Sequence, residues 1–247
     1  MARRATKITD ERKSGSPLLV LDAGNSLTGD RDPALQSAGA SSVEAMNLLG
    51  YDAVALGPKD LALGTAALRQ RIAEASFSFL SANAVDRSTG ELLAKPYAVR
   101  DVGGYRVAII GISGLGDTEQ ISVRDPLAAV RAAVADAEVE SDVIVVLSNA
   151  GAEVNQRIAD GVTGIAAIIG GGTGASAEPW VSSRTNTPVF HADEGSPGHA
   201  GRVLGVARLV VDRNDTLTDY TWKPLKLGPE VPDDAAVAMW LKTKTGS

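Results

Sequence analysis

The chain contains no cysteine. Disulfides, thiolate metal sites and a cysteine nucleophile are therefore excluded, and the redox compartment is left open. Histidine is nearly absent too, with two residues, His191 and His199, in one short segment. A Ser-His-Asp arrangement has no support there, because no nucleophile elbow accompanies them. No apolar run approaches the roughly 20 residues that a membrane-spanning helix needs. An excess of positive charge is also missing: the net charge is −6 and the isoelectric point about 5.0. That balance argues against a nucleic-acid polymer as partner, which would favour a basic face. The one basic stretch, Ala2 to Lys13, carries Arg3, Arg4, Lys7, Arg12 and Lys13 but lacks the apolar core of a signal peptide.

What is present is ordinary for a globular protein. Of 247 residues, 44% are hydrophobic and 22% charged, enough chain to bury a core without disulfides or a structural metal. Short runs rich in Val, Ile and Leu alternate with Ala-rich amphipathic segments, the pattern of an α/β protein. Strands are predicted at 17–23, 52–56, 77–82, 97–101, 105–112, 142–148, 165–169, 188–192, 203–211 and 217–225. Gly103-Gly104 joins two of them as a hairpin, and Arg213-Asn214-Asp215 turns between the last two. Helices are predicted over 40–49 with Gly50 as the stop, over 65–75 with Thr65 as N-cap, after Pro126 at the first helical position, over 153–160, and from Asp233 to Lys242. The GPKD stretch at 57–60 reads as a turn, and Asp142–Ser148 as a strand covered on both faces.

Seven segments, in order and with matching spacing, resemble the 5′-nucleotidase/UshA-type metallophosphoesterases. They are LLVLDAGN (18–25), MNLLGYDAVALGPKDLALG (46–64), FSFLSAN (77–83), TGELLAKPYAV (89–99), VGGYRVAIIGIS (102–113), DVIVVLSNAG (142–151) and GIAAIIGGGTG (164–174). The resemblance implies a four-layer α/β/β/α sandwich, here over residues 1–230, with 231–247 as a C-terminal helix or tail. The family's opening strand has no counterpart, and ARRATKI (2–8) stands where its first helix runs. The family uses two divalent metal ions, acts on nucleotides and related phosphoesters, typically adds a C-terminal nucleotide-recognition domain, and is mostly periplasmic or extracellular.

At the family's metal-ligand positions the residues differ. The bridging aspartate is replaced by Asn25. The Gly-Asn-His-Glu segment falls on Gly57-Pro58-Lys59-Asp60, and a further histidine on Asn149. The Gly-Gly-His-x-His pair falls on Gly172 and Gly174. Glycine has no ligating side chain, and a lysine ammonium offers donors only. Two neutral amide oxygens beside an ammonium make a poor site for hard dications. The expectation is that no cofactor is bound and that Asn25, Lys59, Asn149, Gly172 and Gly174 mark a vestigial site.

Each candidate has a plainer alternative. Lys59 offers a fixed positive charge to a phosphate or carboxylate, or is a solvated turn lysine paired with Asp60 or Asp30. The Gly170–Gly174 run offers an anion-binding nest, or is a turn without the Lys-Ser/Thr of a P-loop. His191, Asp193 and His199, with Glu194, offer a new metal site or a polar surface loop. Asp22 and Asp60 offer a general base, or hydrogen-bond their own loops. Trp180, Trp222 and Trp240 are dispersed and read as packing. Three functions follow: a degenerate relative binding a small anion or a protein, a metal-dependent phosphoester hydrolase with a rebuilt site, and one piece of a larger assembly in which a partner segment completes the sheet.

Overall fold

A computed structural model describes residues 1–28, 34–174, 176, 178–193, 201–213 and 216–245. Helix α1 (Ala2–Lys13) precedes strand β1 (Leu21–Asp22), α2 (Ala40–Leu49), β2 (Ala53–Ala55), α3 (Pro58–Leu61), α4 (Thr65–Glu74) and β3 (Ser78–Leu80). Strands β4 (Ala84–Asp86), β5 (Tyr97–Val102), β6 (Tyr105–Ile112) and β7 (Ile121–Val123) follow, then α5 (Pro126–Ala137), β8 (Val143–Ser148), α6 (Ala152–Gly161) and β9 (Ala167–Gly170). The remainder comprises β10 (Trp180–Val181), β11 (Pro188–His191), β12 (Val203–Val211), β13 (Leu217–Lys226) and α7 (Ala235–Thr245).

Two sheets pack face to face. The first is parallel, in the order β1-β2-β3. The second runs β10-β11-β9-β8-β6-β5, with a parallel centre and antiparallel edges. Ala53, Ala55 and Leu80 of the first sheet meet Val107, Ile109, Val145 and Leu147 of the second in a central core. On the outer side of the first sheet, Val54 and Phe79 pack with Ala5 and Ile8 of α1, Val43 and Met46 of α2, Leu68 of α4 and Val237 of α7. On the outer side of the second, Ile110, Val146 and Ile168 pack with Val130 and Val134 of α5 and Ile158 of α6. These contacts make the four α/β/β/α layers, and they explain why β8 is buried at all six positions: both of its faces are covered, as its unbroken apolar run requires.

Local chemistry sets the ends of the elements. Asp125 caps α5 by accepting from the Ala128 amide at 2.8 Å, with Pro126 at the first helical position. Gly50 ends α2 in the left-handed conformation, φ +65°. Three expectations are corrected. Gly57–Asp60 is no simple turn, because Asp60 returns its carboxylate to the Gly57 amide and starts α3. Thr65 is the first residue of α4 rather than its cap; Gly64 holds that position, and the Thr65 amide is satisfied by Gln120 Oε1 at 3.0 Å. Of 17–23 only Leu21 and Asp22 enter a ladder. The turn at Asn214-Asp215 lies outside the described residues.

Candidate functional site

The matched loops converge where β1, β2, β8 and β9 end. Gly24 turns the chain with φ +100°, and Asn25 follows at φ +60°, a conformation that asparagine tolerates better than most residues. A Cβ on Gly24 would lie 2.8 Å from the Ala55 carbonyl oxygen and 2.9 Å from the Gly57 nitrogen. Glycine there is what lets the β1 and β2 loops approach.

Asn25 and Asn149 then face each other across the two sheets. Asn25 Nδ2 donates to Asn149 Oδ1 at 3.1 Å. The other end of each amide is also committed: Asn25 Oδ1 accepts from the Lys59 amide at 2.9 Å, and Asn149 Nδ2 donates to the Ala23 carbonyl at 2.7 Å. The result is a closed chain of neutral hydrogen bonds from β1 through β8 to α3. Asn149 is buried, whereas the Lys59 side chain is exposed on α3.

Asp60 fixes this arrangement from below. It is fully buried; its Oδ2 accepts from the amides of Asn25 at 2.7 Å and Gly57 at 2.8 Å, and Oδ1 accepts from Leu27 at 2.9 Å. Burial pushes its carboxyl up to about 6, against the pull of the three amides. The carboxylate is thus committed to its own backbone. Asp22 behaves similarly: its Oδ1 accepts from the Gly24 amide at 2.9 Å. Burial raises its pKa, and the positive charge of Arg4 opposes the rise.

The glycine run is tightly held. The Gly171 amide donates to the Ser148 carbonyl at 2.7 Å, and the Ala152 amide to the Thr173 carbonyl at 3.0 Å. Gly172 sits at φ +86°, where a Cβ would stand 2.9 Å from both the Asn149 carbonyl oxygen and the Gly151 nitrogen. Gly174, at φ +76°, is exposed. Sequence reasoning missed Gly114 and Gly116. Cβ atoms there would lie 2.4 Å from the Asn149 carbonyl oxygen and 2.7 Å from Pro58 Cβ, so this loop packs directly on the cleft. The Ser113-Gly114-Leu115-Gly116 spacing was the available signal.

His191 ends β11 opposite Gly170. It is buried, its Nε2 has no hydrogen-bond partner, and burial lowers its pKa. A Cβ on Gly170 would lie 2.5 Å from His191 Nε2 and 2.6 Å from Asn155 Nδ2, which accounts for glycine at that place. Asp193 follows, half-buried; Asp30, Glu194 and His199 lie outside the described residues. Among the described residues no group of three or more His, Cys, Asp or Glu side chains is placed to hold a metal ion, and no helix is long and apolar enough to cross a membrane.

No family model matches the chain. It is 38% identical to the protein UshA of Yersinia enterocolitica over 125 residues, 49% of this chain and 22% of that one. The snake venom 5′-nucleotidase of Gloydius brevicauda is 29% identical over 264 aligned positions, 96% of this chain and 44% of the relative. Among solved structures, the 5′-nucleotidase precursor of Thermus thermophilus superposes with a TM-score of 0.88 at 26% identity, covering 99% of this chain and 52% of that one. The calcineurin-like phosphoesterase YfkN of Bacillus subtilis shares the fold with a TM-score of 0.79 at 19% identity, covering 99% of this chain and 88% of that one. The chain thus spans from about a fifth to about half the length of the two curated relatives.

Proposed function

We propose that this member of the 5′-nucleotidase/UshA family of calcineurin-like phosphoesterases keeps the fold without the two-metal chemistry, and uses the cleft to bind a small anion or a protein. The observation that carries this reading is the amide pair. Two dications about 4 Å apart require several anionic or imidazole ligands converging from different loops. At the matched positions stand two carboxamides, a proline, an exposed lysine and two glycines. Both carboxamides are already satisfied, by each other and by backbone. The Asn25 oxygen accepts from the Lys59 amide and the Asn149 oxygen from Asn25 Nδ2, so each retains a single neutral lone pair and no charge to offer a dication. The residues present therefore do not fit the family's metal centre, and no catalytic step is routed through one.

Lys59 supports the anion-binding side of the reading, as a cationic side chain exposed on α3 whose backbone amide is held by Asn25. The test has two arms. Hydrolysis of p-nitrophenyl phosphate and of nucleoside 5′-monophosphates is assayed with added Mn²⁺, Mg²⁺ or Zn²⁺, and thermal unfolding is followed during metal titration. The expected result is no turnover and no metal-dependent shift in Tm. Turnover abolished by a chelator and restored by one of these metals would establish instead a hydrolase with a rebuilt site. Titration with inorganic phosphate then tests the ligand, with weaker binding expected for Lys59→Ala.

A further inference from the structure

Three polar side-chain atoms lie buried without a hydrogen-bond partner at one place, the base of the glycine run. Asn155 stands in the first turn of α6 and is 0% exposed, yet neither its Nδ2 nor its Oδ1 is bonded. His191 closes β11 at 5% exposure, and its Nε2 is unbonded too. The two side chains meet at Gly170, the last residue of β9. A Cβ there would lie 2.5 Å from His191 Nε2 and 2.6 Å from Asn155 Nδ2. Atoms that share so near a point are within reach of a single small molecule between them, since each hydrogen bond to it spans about 2.9 Å.

The chemistry of these atoms decides what that molecule is. Burial, rather than a neighbouring charge, lowers the pKa of His191, so its imidazole is kept neutral. The carboxamide is neutral as well. A dication needs anionic ligands, and an anion needs a cation or several converging N–H donors. The pair supplies one amide donor, one amide acceptor and one imidazole nitrogen. A neutral partner that both donates and accepts is required, and a buried water commonly makes about three bonds of this kind to groups otherwise unmet. The nearby backbone is already committed: the Asn155 amide donates to the Gly151 carbonyl and the Gly171 amide to the Ser148 carbonyl.

We infer that Asn155 and His191 form a buried site for an ordered water molecule beneath the Gly170–Gly174 loop, and that this bridge fixes the base of the loop. The site joins α6, β9 and β11, three elements that converge there. Two residues further along, Gly172 packs on the Asn149 carbonyl oxygen, where a Cβ would stand 2.9 Å away. The bridge therefore bears on the floor of the candidate site without belonging to it.

A crystal structure of the whole chain that shows ordered solvent is the direct test. It should place a water within about 3.2 Å of His191 Nε2 and of the Asn155 amide. Thermal unfolding at pH 8, where histidine is neutral in both states, gives an independent reading. Asn155→Leu is close in volume and removes both polar atoms. If the amide holds the water, the change strands His191, and Tm should fall by about 4 °C or more. If the amide is merely buried and unmet, the same change removes two unpaired atoms and Tm should rise. Combined with His191→Phe, the loss should be smaller than the two single losses added, because each removes the same bridge. Amide exchange at 170–174 should quicken at least about threefold in Asn155→Leu, with circular dichroism confirming the fold. The inference is overturned by a dry site, by a direct Asn155–His191 bond, or by an ion in the water's place. A rise in Tm, additive losses or unchanged exchange at 170–174 would overturn it equally.

Discussion

Asp60→Asn sets burial against hydrogen bonding in one residue. The carboxylate receives three amide donors, and burial still raises its pKa from 3.8 to about 6. At 1.36 kcal/mol per unit this corresponds to roughly 3 kcal/mol. The native state therefore holds more protons than the unfolded state between those two values, and stability falls as pH rises through that interval. The stabilising contribution is complete below about pH 4 and lost above about pH 6. Asparagine cannot ionise, so the variant lacks this pH dependence. It does carry a fixed defect, because its amide nitrogen must face a backbone donor, at Leu27 or at Asn25 and Gly57. One orphaned buried donor costs about 1–3 kcal/mol. Measured by urea unfolding with linear extrapolation, Asp60→Asn should be less stable than the parent at pH 4.5. By pH 7.5 the difference should shrink by about 2 kcal/mol. A difference that is constant with pH, or that widens as pH rises, would show that the three amides outweigh burial and refute the reasoning.

Other outcomes follow from the same geometry. Asn149→Ala removes the acceptor for Asn25 and the donor for the Ala23 carbonyl, and should lower stability by about 2–4 kcal/mol, read from urea midpoints at constant m. Gly172→Ala meets both a φ of +86° and two backbone atoms at 2.9 Å. It should cost more than the roughly 1 kcal/mol of an unhindered left-handed alanine, and a smaller loss in thermal unfolding would mean that the loop relaxes. Burial lowers the pKa of His191 from its ordinary 6.5, so the native state binds fewer protons than the unfolded state as pH falls through that value. Stability from this group is present above that value and declines as pH falls below it, a dependence that His191→Phe should remove in unfolding measured between pH 5 and 7.

The layers were legible because each depends on local pattern. The all-apolar run of β8 announces a strand covered on both sides, and Gly50 and Pro126 mark helix boundaries through backbone geometry intrinsic to those residues. The short elements were not. Only two residues of 17–23 reach a ladder, since β1 has a neighbour on one side only, which no residue in the segment records. The start of α3 was hidden for a different reason: it depends on Asp60 turning back to Gly57, and Asp60 is drawn in by the amides of a loop more than 30 residues earlier.

The candidate site divides the same way. Asn25, Lys59 and Asn149 could be found as residue types at matched positions, and so could the loss of charge that their presence implies. That the two amides point at each other could not, because the bond joins positions 124 apart in sequence and requires two separate sheets to bring their strand ends together. The distinction matters for the function. Two unpaired asparagines at the tip of a cleft would still offer oxygens to a cation or a ligand. Two asparagines closed on each other, with their remaining amide ends on Lys59 and Ala23, are fixed in place and retain one neutral lone pair on each oxygen. Lys59 is the charged side chain at these positions, exposed on α3, and its charge has the sign opposite to that of the carboxylate ligands a dication requires.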